Sequence, residues 1–272
     1  MRIAVIGTGN MGRALIGGLL RAYGGAVRIA VYDKTPGALN NLGECLETIA
    51  PSEWKNSEFI PDAVILSVKP ADINGALDTL APLSAELNFL TISIAAGITI
   101  QSIKDKLSES AKICRCMPNT PVVIGEGMAA YSLSENCTPE DTKRVEYIFN
   151  ACGKVINVPE NLIDSITGLS GSGPAFVFSF IEALTEGGVS AGLPYQTALD
   201  AAVQTVIGAA KMVQSTGDHP SILKSKVMSP GGTTVRGLEE LERGAFRHSV
   251  IQAVVQAAVR AKELAVNASS KK

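Results

Sequence analysis

A glycine-rich loop sequence, Gly7-Thr8-Gly9-Asn10-Met11-Gly12, follows directly on the short apolar run Ile3–Ile6 and leads into a helical pattern. No other feature constrains the fold of this chain as strongly. In a strand–turn–helix unit, Gly7 allows the tight turn, Gly9 lets a phosphate group approach the backbone, and Gly12 lets the helix pack closely on the strand. The pattern therefore predicts a pyrophosphate bound at the N-terminus of the helix.

An acidic residue, Asp33, ends the second predicted strand, Val27–Tyr32, about 20 residues beyond the last glycine. A carboxylate at this place accepts hydrogen bonds from a ribose and favours NADH. Lys34 and Thr35 follow at once and can instead hold the 2′-phosphate of NADPH. A third interpretation is that Asp33 only caps the following turn. We expect a Rossmann-type dinucleotide-binding domain that uses NADH at least as well as NADPH, with the other two interpretations kept as alternatives.

Strand and helix patterns alternate through the first 160 residues, which indicates parallel strands joined by helical crossovers. Several strands are apolar on both faces, as expected of a sheet covered by helices on both sides. We therefore assign residues 1–160 to an α/β domain. The predicted strands are Ile3–Ile6, Val27–Tyr32, Ala63–Val68, Phe89–Ile94, Lys112–Cys116, Met128–Tyr131 and Lys154–Val158.

Beyond residue 160 the sequence shows helical patterns and no convincing strand, so residues 161–272 are expected to form an all-α domain. Small residues are frequent in these helices and allow neighbouring helices to approach closely. They fit a tight bundle within one chain and a subunit interface equally well. The predicted helices are Pro174–Ala191, Pro194–Ser215 and Ala245–Ala268.

The composition argues against several classes of protein. A net charge of −2 gives no long-range attraction to nucleic acid, and no stretch approaches the roughly 18 apolar residues of a membrane helix. The five cysteines are an odd number at irregular spacings, which argues for a reducing, cytoplasmic compartment. Cys114 and Cys116 lack further ligands at the spacings of a zinc site, so no metal is expected. We expect a cytoplasmic protein with no nucleic-acid or membrane partner.

Loops after other predicted strands, and a second glycine-rich segment, are further candidates for ligand binding. Ligands gather at the carboxyl ends of strands in an open parallel sheet. Lys69-Pro70, Ala95-Ala96-Gly97 and Pro118-Asn119 are therefore candidate cofactor contacts, although each alone also fits an ordinary turn. The segment Ser229–Thr234 offers several N–H groups and three hydroxyls before a helix. It fits a cradle for a carboxylate or phosphate, or an N-cap with a flexible lead-in.

Taken together, these segments resemble the pyrroline-5-carboxylate reductase family over nearly the whole chain. The pairing of Ser-Pro-Gly-Gly-Thr-Thr with Gly-Ser-Gly-Pro-Ala is the most specific part of the resemblance. The matching segments are Gly7–Gly12, Val68-Lys69-Pro70, Ser93–Gly97, Met117–Pro121, Gly168–Pro174, His219-Pro220 and Ser229–Thr234.

The resemblance implies an oxidoreductase that reduces 1-pyrroline-5-carboxylate, a small cyclic imine, to L-proline with NADPH or NADH, the last step of proline biosynthesis. It also implies a C-terminal dimerisation domain that interlocks two subunits, giving homodimers or higher assemblies of dimers. The segment Ser229–Thr234 would hold the substrate carboxylate, Thr234 would lie beside the imine nitrogen, and Lys69 would line the cofactor site.

The candidate residues follow from these patterns and from the resemblance. Thr234 and Ser229 are the candidate catalytic residues. The two histidines, His219 and His248, are expected to be structural, so positioning and electrostatics would carry most of the catalysis. The candidate substrate-binding residues are Ser229, Gly231, Gly232, Thr233 and Thr234. The candidate cofactor-binding residues are Ile6, Gly7, Thr8, Gly9, Asn10, Met11, Gly12, Asp33, Lys34, Thr35, Val68, Lys69, Pro70, Ala95, Ala96, Gly97, Pro118 and Asn119.

Two other functions fit part of the sequence. A β-hydroxyacid dehydrogenase pairs a similar N-terminal half with a helical half, but it relies on a lysine in a long helix. The only obvious candidates, Lys211 and Lys262, lie in no motif of that kind. A non-catalytic dinucleotide-binding protein needs the cofactor site without a substrate cradle, and the segment Ser229–Thr234 argues against it.

Overall fold

The fold is described from a computed structural model, which covers residues 1–35, 37–40 and 46–269, with side chains up to Ala265. By contacts between Cα atoms the chain divides into two compact units. The first comprises Met1–Ser172 and the residues from Val255 onward, and the second is Gly173–Val254. The predicted division at residue 160 differs from this one and stays a prediction.

The first unit is built on an eight-stranded sheet. Its strands are β1 (Arg2–Ile6), β2 (Arg28–Tyr32), β3 (Leu46–Thr48), β4 (Ala63–Leu66), β5 (Leu90–Ser93), β6 (Lys112–Met117), β7 (Gly127–Leu133) and β8 (Gly153–Asn157). They lie in the order β3-β2-β1-β4-β5-β6-β7-β8. From β1 the strands are added on one side as far as β3, and the chain then returns to place β4 on the other side of β1. In an open α/β sheet, such a reversal creates the crevice in which ligands bind.

Helices cover both faces of this sheet. They are α1 (Asn10–Tyr23), α2 (Ile73–Leu87), α3 (Ile100–Leu107) and α4 (Pro139–Asn150), followed after β8 by the short α5 (Ile163–Ile166). Successive residues of β1 point to opposite faces, so Ile3 and Val5 pack in the same core as α1 and α4, whereas Ala4 and Ile6 pack with α2 and α3. The two cores explain why the four buried positions of this strand, Ile3–Ile6, are all apolar.

The predicted strands are confirmed, with ends displaced by one or two residues, but two corrections are needed. The expectation of parallel pairing throughout is wrong at one place, since β6 and β7 pair antiparallel, with Cys116 opposite Tyr131. Only a short loop with a 3₁₀ turn at Thr120–Ile124 joins them, whereas parallel pairing needs a longer crossover. The second correction is β3, which has three residues at the sheet edge and is too short to show a pattern.

The second unit is helical. It contains α6 (Gly173–Ser190), α7 (Tyr195–Thr216), α8 (Pro220–Val227), α9 (Thr233–Arg243) and the first part of α10 (Phe246–Ser269). The three long predicted helices are confirmed to within one residue at each end. Gly188 of α6 allows α7 to come close, because a Cβ on it would lie 2.9 Å from the Cβ of Ala198.

None of the described helices is both long and apolar enough to span a membrane. Within the described residues, Cys114, Cys116, Cys137 and Cys152 are free thiols, and Cys45 lies outside them. Burial raises the pKa of the Cys114 and Cys116 thiols well above the ordinary value. These two side chains therefore stay protonated and act as core residues.

Candidate functional site

The turn from β1 into α1 requires glycine at two positions, one in the loop and one in the first turn of the helix. Gly7 has a φ of +92°, and a Cβ on it would lie 2.5 Å from the carbonyl oxygen of Ser67. A side chain on Gly12 would clash with the carbonyl oxygen of Gly7. These glycines therefore let the loop turn tightly and pack against the residues that follow β4.

Gly9 differs from the other two, because the place of its missing side chain is open space. No heavy atom lies within 4 Å of a Cβ built there. α1 starts directly after Gly9, and its first turn has neither an acidic residue nor a side-chain cap. The first N–H groups of a helix have no partner within the helix and carry a partial positive charge. The backbone of residues 9–12 thus fits the pyrophosphate of a dinucleotide.

A cleft of about 490 Å³ opens beside this loop, at the carboxyl ends of β1, β2 and β4. It brings together eight of the predicted cofactor residues: Ile6, Gly7, Gly9, Asp33, Lys34, Thr35, Val68 and Lys69. The other lining residues were not predicted from the sequence: Tyr32, Ser67, Asp72, Gly75, Ala76 and Thr79. Most of these lie at the start of α2, where an ordinary amphipathic pattern gives no sign of a ligand contact.

The carboxylate of Asp33 is bound to the glycine-rich loop. Its Oδ2 accepts hydrogen bonds from the N–H of Thr8 at 2.8 Å and from the Thr8 hydroxyl at 3.1 Å. Its Oδ1 accepts one from the N–H of Thr35 at 2.9 Å, which is the turn-capping contact that the sequence suggested as an alternative. Burial alone would raise the pKa of Asp33, but these hydrogen bonds outweigh it and hold the pKa below its usual value. Asp33 is therefore a charged anchor of the loop.

Two basic residues close to the loop are engaged with the protein itself. The Nζ of Lys34 donates a hydrogen bond to Oδ1 of Asp72 at 2.6 Å. Arg13 of α1 donates to the carbonyl oxygens of Thr8 at 2.9 Å and of Ala38 at 2.5 Å. Arg13 thereby ties the glycine-rich loop to the segment after β2. The sequence pattern gave no signal for this role, because a helical arginine is usually solvent-exposed.

The other predicted cofactor residues lie in this loop or at neighbouring strand ends. Ala95 is buried after β5, and a Cβ on Gly97 would lie 3.0 Å from the backbone nitrogen of Ala265 in α10. Gly97 therefore makes room for α10. Pro70 begins the short 3₁₀ turn before α2. Contacts with a cofactor stay predictions for these residues, as they do for Thr8, Asn10, Met11, Gly12, Ala96 and Pro118.

Asn119, which follows β6, uses both ends of its side-chain amide within the protein. Its Nδ2 donates to the carbonyl oxygen of Ser170 at 3.0 Å, and its Oδ1 accepts from the N–H of Met128 at 2.8 Å. The first bond reaches a π-helical turn, Thr167–Gly171, and such turns are frequent at functional sites. A cofactor contact of Asn119 stays a prediction, and in the structure its side chain links the π-helical turn to the start of β7.

The second candidate site precedes α9 and lies in the other unit. Gly231 has a φ of +69°, and the N–H of Gly232 donates to the carbonyl oxygen of Ser229 at 2.9 Å, which closes a turn. α9 then begins at Thr233 with no side-chain cap and no acidic residue in its first turn. The N–H groups of Thr233 and Thr234 have no acceptor within the helix and can bind an anion. The Gly232 N–H, which the sequence analysis assigned to the substrate, is used inside the loop.

Two family models match the chain. Residues 160–264 match the model described as pyrroline-5-carboxylate reductase dimerisation. Residues 2–97 match the model described as NADP oxidoreductase, coenzyme F420-dependent. The first match includes the turn before α9 and the π-helical turn, and the second includes the glycine-rich loop and the cleft.

Curated relatives match nearly the full length. The chain is 41% identical to the pyrroline-5-carboxylate reductase of Arabidopsis thaliana, over 97% of this chain and 95% of that protein. It is 38% identical to the enzyme of the same name from Escherichia coli K12, over 97% of this chain and 98% of that one.

Solved structures agree with the sequence comparison. The NADP-bound pyrroline carboxylate reductase of Plasmodium falciparum has a TM-score of 0.86 at 31% identity, covering 97% of this chain and 98% of that chain. A pyrroline-5-carboxylate reductase from Coxiella burnetii has a TM-score of 0.87 at 36% identity, with coverages of 96% and 97%. The chain therefore belongs to the pyrroline-5-carboxylate reductase family.

Proposed function

We propose that this protein reduces 1-pyrroline-5-carboxylate to L-proline with NADPH or NADH, the last step of proline biosynthesis. The observation that carries the proposal is the match to pyrroline-5-carboxylate reductases along 97% of the chain. The open backbone at Gly9 and the uncapped start of α9 supply the two anion-binding places that a dinucleotide and a carboxylate substrate require.

The reaction requires a hydride on the imine carbon and a proton on the imine nitrogen. A bound nicotinamide dinucleotide supplies the hydride. A protonated imine is already an electrophile, so the side chains need not form a covalent intermediate to activate it. The residues of this chain therefore contribute mainly by binding and orienting charged groups.

The cofactor would be held mainly by the backbone of the first unit. The N–H groups of residues 9–12 would bind the pyrophosphate, and the cleft beside Asp33 would take the adenosine half. Asp33 and Arg13 both bond to Thr8 and keep this loop in shape before a ligand arrives. Such a preformed site limits the ordering cost of binding.

The substrate carboxylate would be held at the start of α9. The N–H groups of Thr233 and Thr234 are the available donors, since that of Gly232 is used in the turn. The hydroxyl of Thr234 would hydrogen-bond the ring nitrogen and relay a proton to it from water. The Ser229 hydroxyl would be a second polar contact in the same loop. These roles rest on the uncapped helix start and on the family resemblance.

One assay tests the proposal and separates it from the alternatives. The purified protein is mixed with NADPH or NADH and 1-pyrroline-5-carboxylate, and nicotinamide absorbance is followed while L-proline is measured independently. We expect one L-proline for each dinucleotide oxidised. Binding of the dinucleotide without turnover would support the non-catalytic interpretation. A parallel mixture with the oxidised cofactor and a β-hydroxyacid tests the dehydrogenase interpretation, which cofactor reduction there without imine reduction in the first mixture would support.

We further propose that the chain works as a homodimer, or as a higher assembly of dimers, in the cytoplasm. The match of residues 160–264 to a dimerisation model supports self-association. The four free thiols within the described residues fit a reducing compartment.

A further inference from the structure

The cleft of the first unit carries four charged side chains, and two of them form an ion pair. Asp33 and Asp72 contribute two negative charges, and Lys34 and Lys69 contribute two positive charges. Lys34 follows β2 and Asp72 precedes α2, so their hydrogen bond of 2.6 Å joins segments that are 38 residues apart in the chain. The formal charges of these four side chains therefore sum to zero, and the positive charge of Lys34 is already paired with Asp72.

Asp72 makes this contact in place of its usual local role. It stands at the N-cap position of α2, where an aspartate commonly accepts a hydrogen bond from the first turn of its helix. Its side chain makes no such bond. The carboxylate points instead to Lys34, and its hydrogen bond and charge raise the pKa of that lysine. Helix capping therefore does not account for an acid at this position.

Asp33 has few acceptor positions left for hydrogen bonds to the ribose hydroxyls of a dinucleotide. Three hydrogen bonds from Thr8 and Thr35 already use most of the acceptor positions of its carboxylate. In Rossmann-type sites the 2′ position of the adenosine ribose lies next to this strand end. Lys34 is therefore the adjacent cation for a 2′-phosphate, which brings a further negative charge of roughly 1.5 to 2.

We infer that Asp72 weakens the binding of 2′-phosphorylated relative to unphosphorylated dinucleotides, because it competes with a 2′-phosphate for Lys34. This inference rests on the proposed use of NADPH or NADH. NADPH must displace Asp72 from Lys34 to be neutralised, whereas NADH needs no such exchange. Asp72 is thus a specificity residue that acts through Lys34.

The test measures dissociation constants and does not depend on turnover. Binding of NADPH and NADH is followed by nicotinamide fluorescence, and binding of ADP-ribose and 2′-phospho-ADP-ribose by calorimetry. For Asp72→Asn we expect tighter binding of both 2′-phosphorylated ligands by about twofold to fivefold, the range that an exposed ion pair can contribute. The dissociation constants of NADH and ADP-ribose should change little. Lys34→Met should weaken the phosphorylated ligands selectively.

A double variant and a matched control make the test specific. In Lys34→Met, the added change Asp72→Asn should no longer tighten NADPH binding, because the group for which it competes is gone. The control is Glu86→Gln, which removes the same charge from an exposed ion pair with Lys55 at the other end of α2. It should leave the ratio of the two dissociation constants unchanged.

Three results would overturn the inference. The first is an unchanged ratio in Asp72→Asn. The second is a full gain that persists without Lys34, which would mean that Asp72 only repels the phosphate directly. The third is a lack of binding by any of the four ligands, which would also overturn the proposed cofactor site, whereas the first two would leave it intact.

Discussion

Asp33 is one carboxylate with two consequences for the site. Its contacts with Thr8 hold the glycine-rich loop, and its charge lies beside the place expected for the ribose. The sequence offered ribose recognition and turn capping as competing interpretations of Asp33. The structure shows the capping contact with Thr35 and, in addition, bonds to Thr8 that no sequence pattern indicated. A substitution of Asp33 therefore changes the loop and the local charge together, and the two effects need different variants to be told apart.

We predict that Asp33→Ser shifts the ratio of kcat/KM values toward NADPH by roughly tenfold, the equivalent of about 1.4 kcal/mol, because it removes a negative charge next to the 2′-phosphate. The measurement is the specificity constant for each cofactor in the wild type and the variant. Asp33→Asn keeps an acceptor for Thr8 but loses the charge, so it should shift the ratio in the same direction. An unchanged ratio in both variants would mean that Asp33 is only a loop anchor.

At the start of α9 we predict that Thr234→Ala lowers turnover on the order of tenfold to a hundredfold, because a hydrogen bond to a charged group contributes roughly 1.5–3 kcal/mol. The dissociation constant for NADPH should stay the same, since Thr234 lies in the unit without the dinucleotide loop. Thr234→Ser retains the hydroxyl and should keep most of the activity. Wild-type turnover in Thr234→Ala would remove this residue from the mechanism.

At the scale of elements, the sequence predicted the strands and long helices well because their apolar patterns are determined by burial. The alternating burial of Ile3–Ile6 in two cores makes this part of β1 apolar at every position, which gives a clear pattern in the sequence. β3 was not predicted, because an edge strand of three residues carries no such pattern. The antiparallel direction of the β6–β7 pair was not predicted either. Pairing direction depends on the connection between two strands, and the apolar pattern of each strand does not encode it.

The same distinction applies to the site. The glycines of the loop were predictable, because backbone conformation and close approach demand glycine there. The contacts of Arg13, Asp72 and Asn119 were not, because each is a tertiary hydrogen bond between segments that are distant in the chain. Residue identity permits such bonds without specifying the partner.

Asn119 gives a prediction for the bridge between β6 and the π-helical turn. Asn119→Ala removes two hydrogen bonds and leaves the N–H of Met128 without its acceptor, so we expect the free energy of unfolding to fall by about 1–3 kcal/mol. Denaturant unfolding measures this change. Asn136→Ala is the matched control, because its amide bonds to backbone carbonyls at the exposed surface, where water can replace it. Equal losses in the two variants would contradict a special role for the Asn119 bridge.

At the scale of the whole molecule, the second unit has too little core of its own. Among its apolar residues, Ala198, Ala202 and Leu223 are buried, whereas large side chains along its helices are exposed. The exposed group includes Phe178, Leu184, Ile207, Met212, Val227, Val250 and Ile251. Of the small residues on α7, Ala198 and Ala202 are buried, whereas Ala209 and Ala210 are exposed. Exposed apolar surface of this extent indicates an interface with another chain.

We therefore predict an obligate oligomer, with a mass by light scattering of at least twice the 28.4 kDa of one chain. Ile251→Lys places a charge on α10 at a side chain that is 55% exposed in one chain, and we expect it to shift the mass toward the monomer and to lower Tm. It should also make Tm more dependent on protein concentration, because association stabilises the fold by mass action. Ile124→Lys is the control, since Ile124 is 74% exposed but lies in the first unit, and it should leave the mass unchanged. A wild type that is active as a stable monomer at micromolar concentration would show that these helices need no partner.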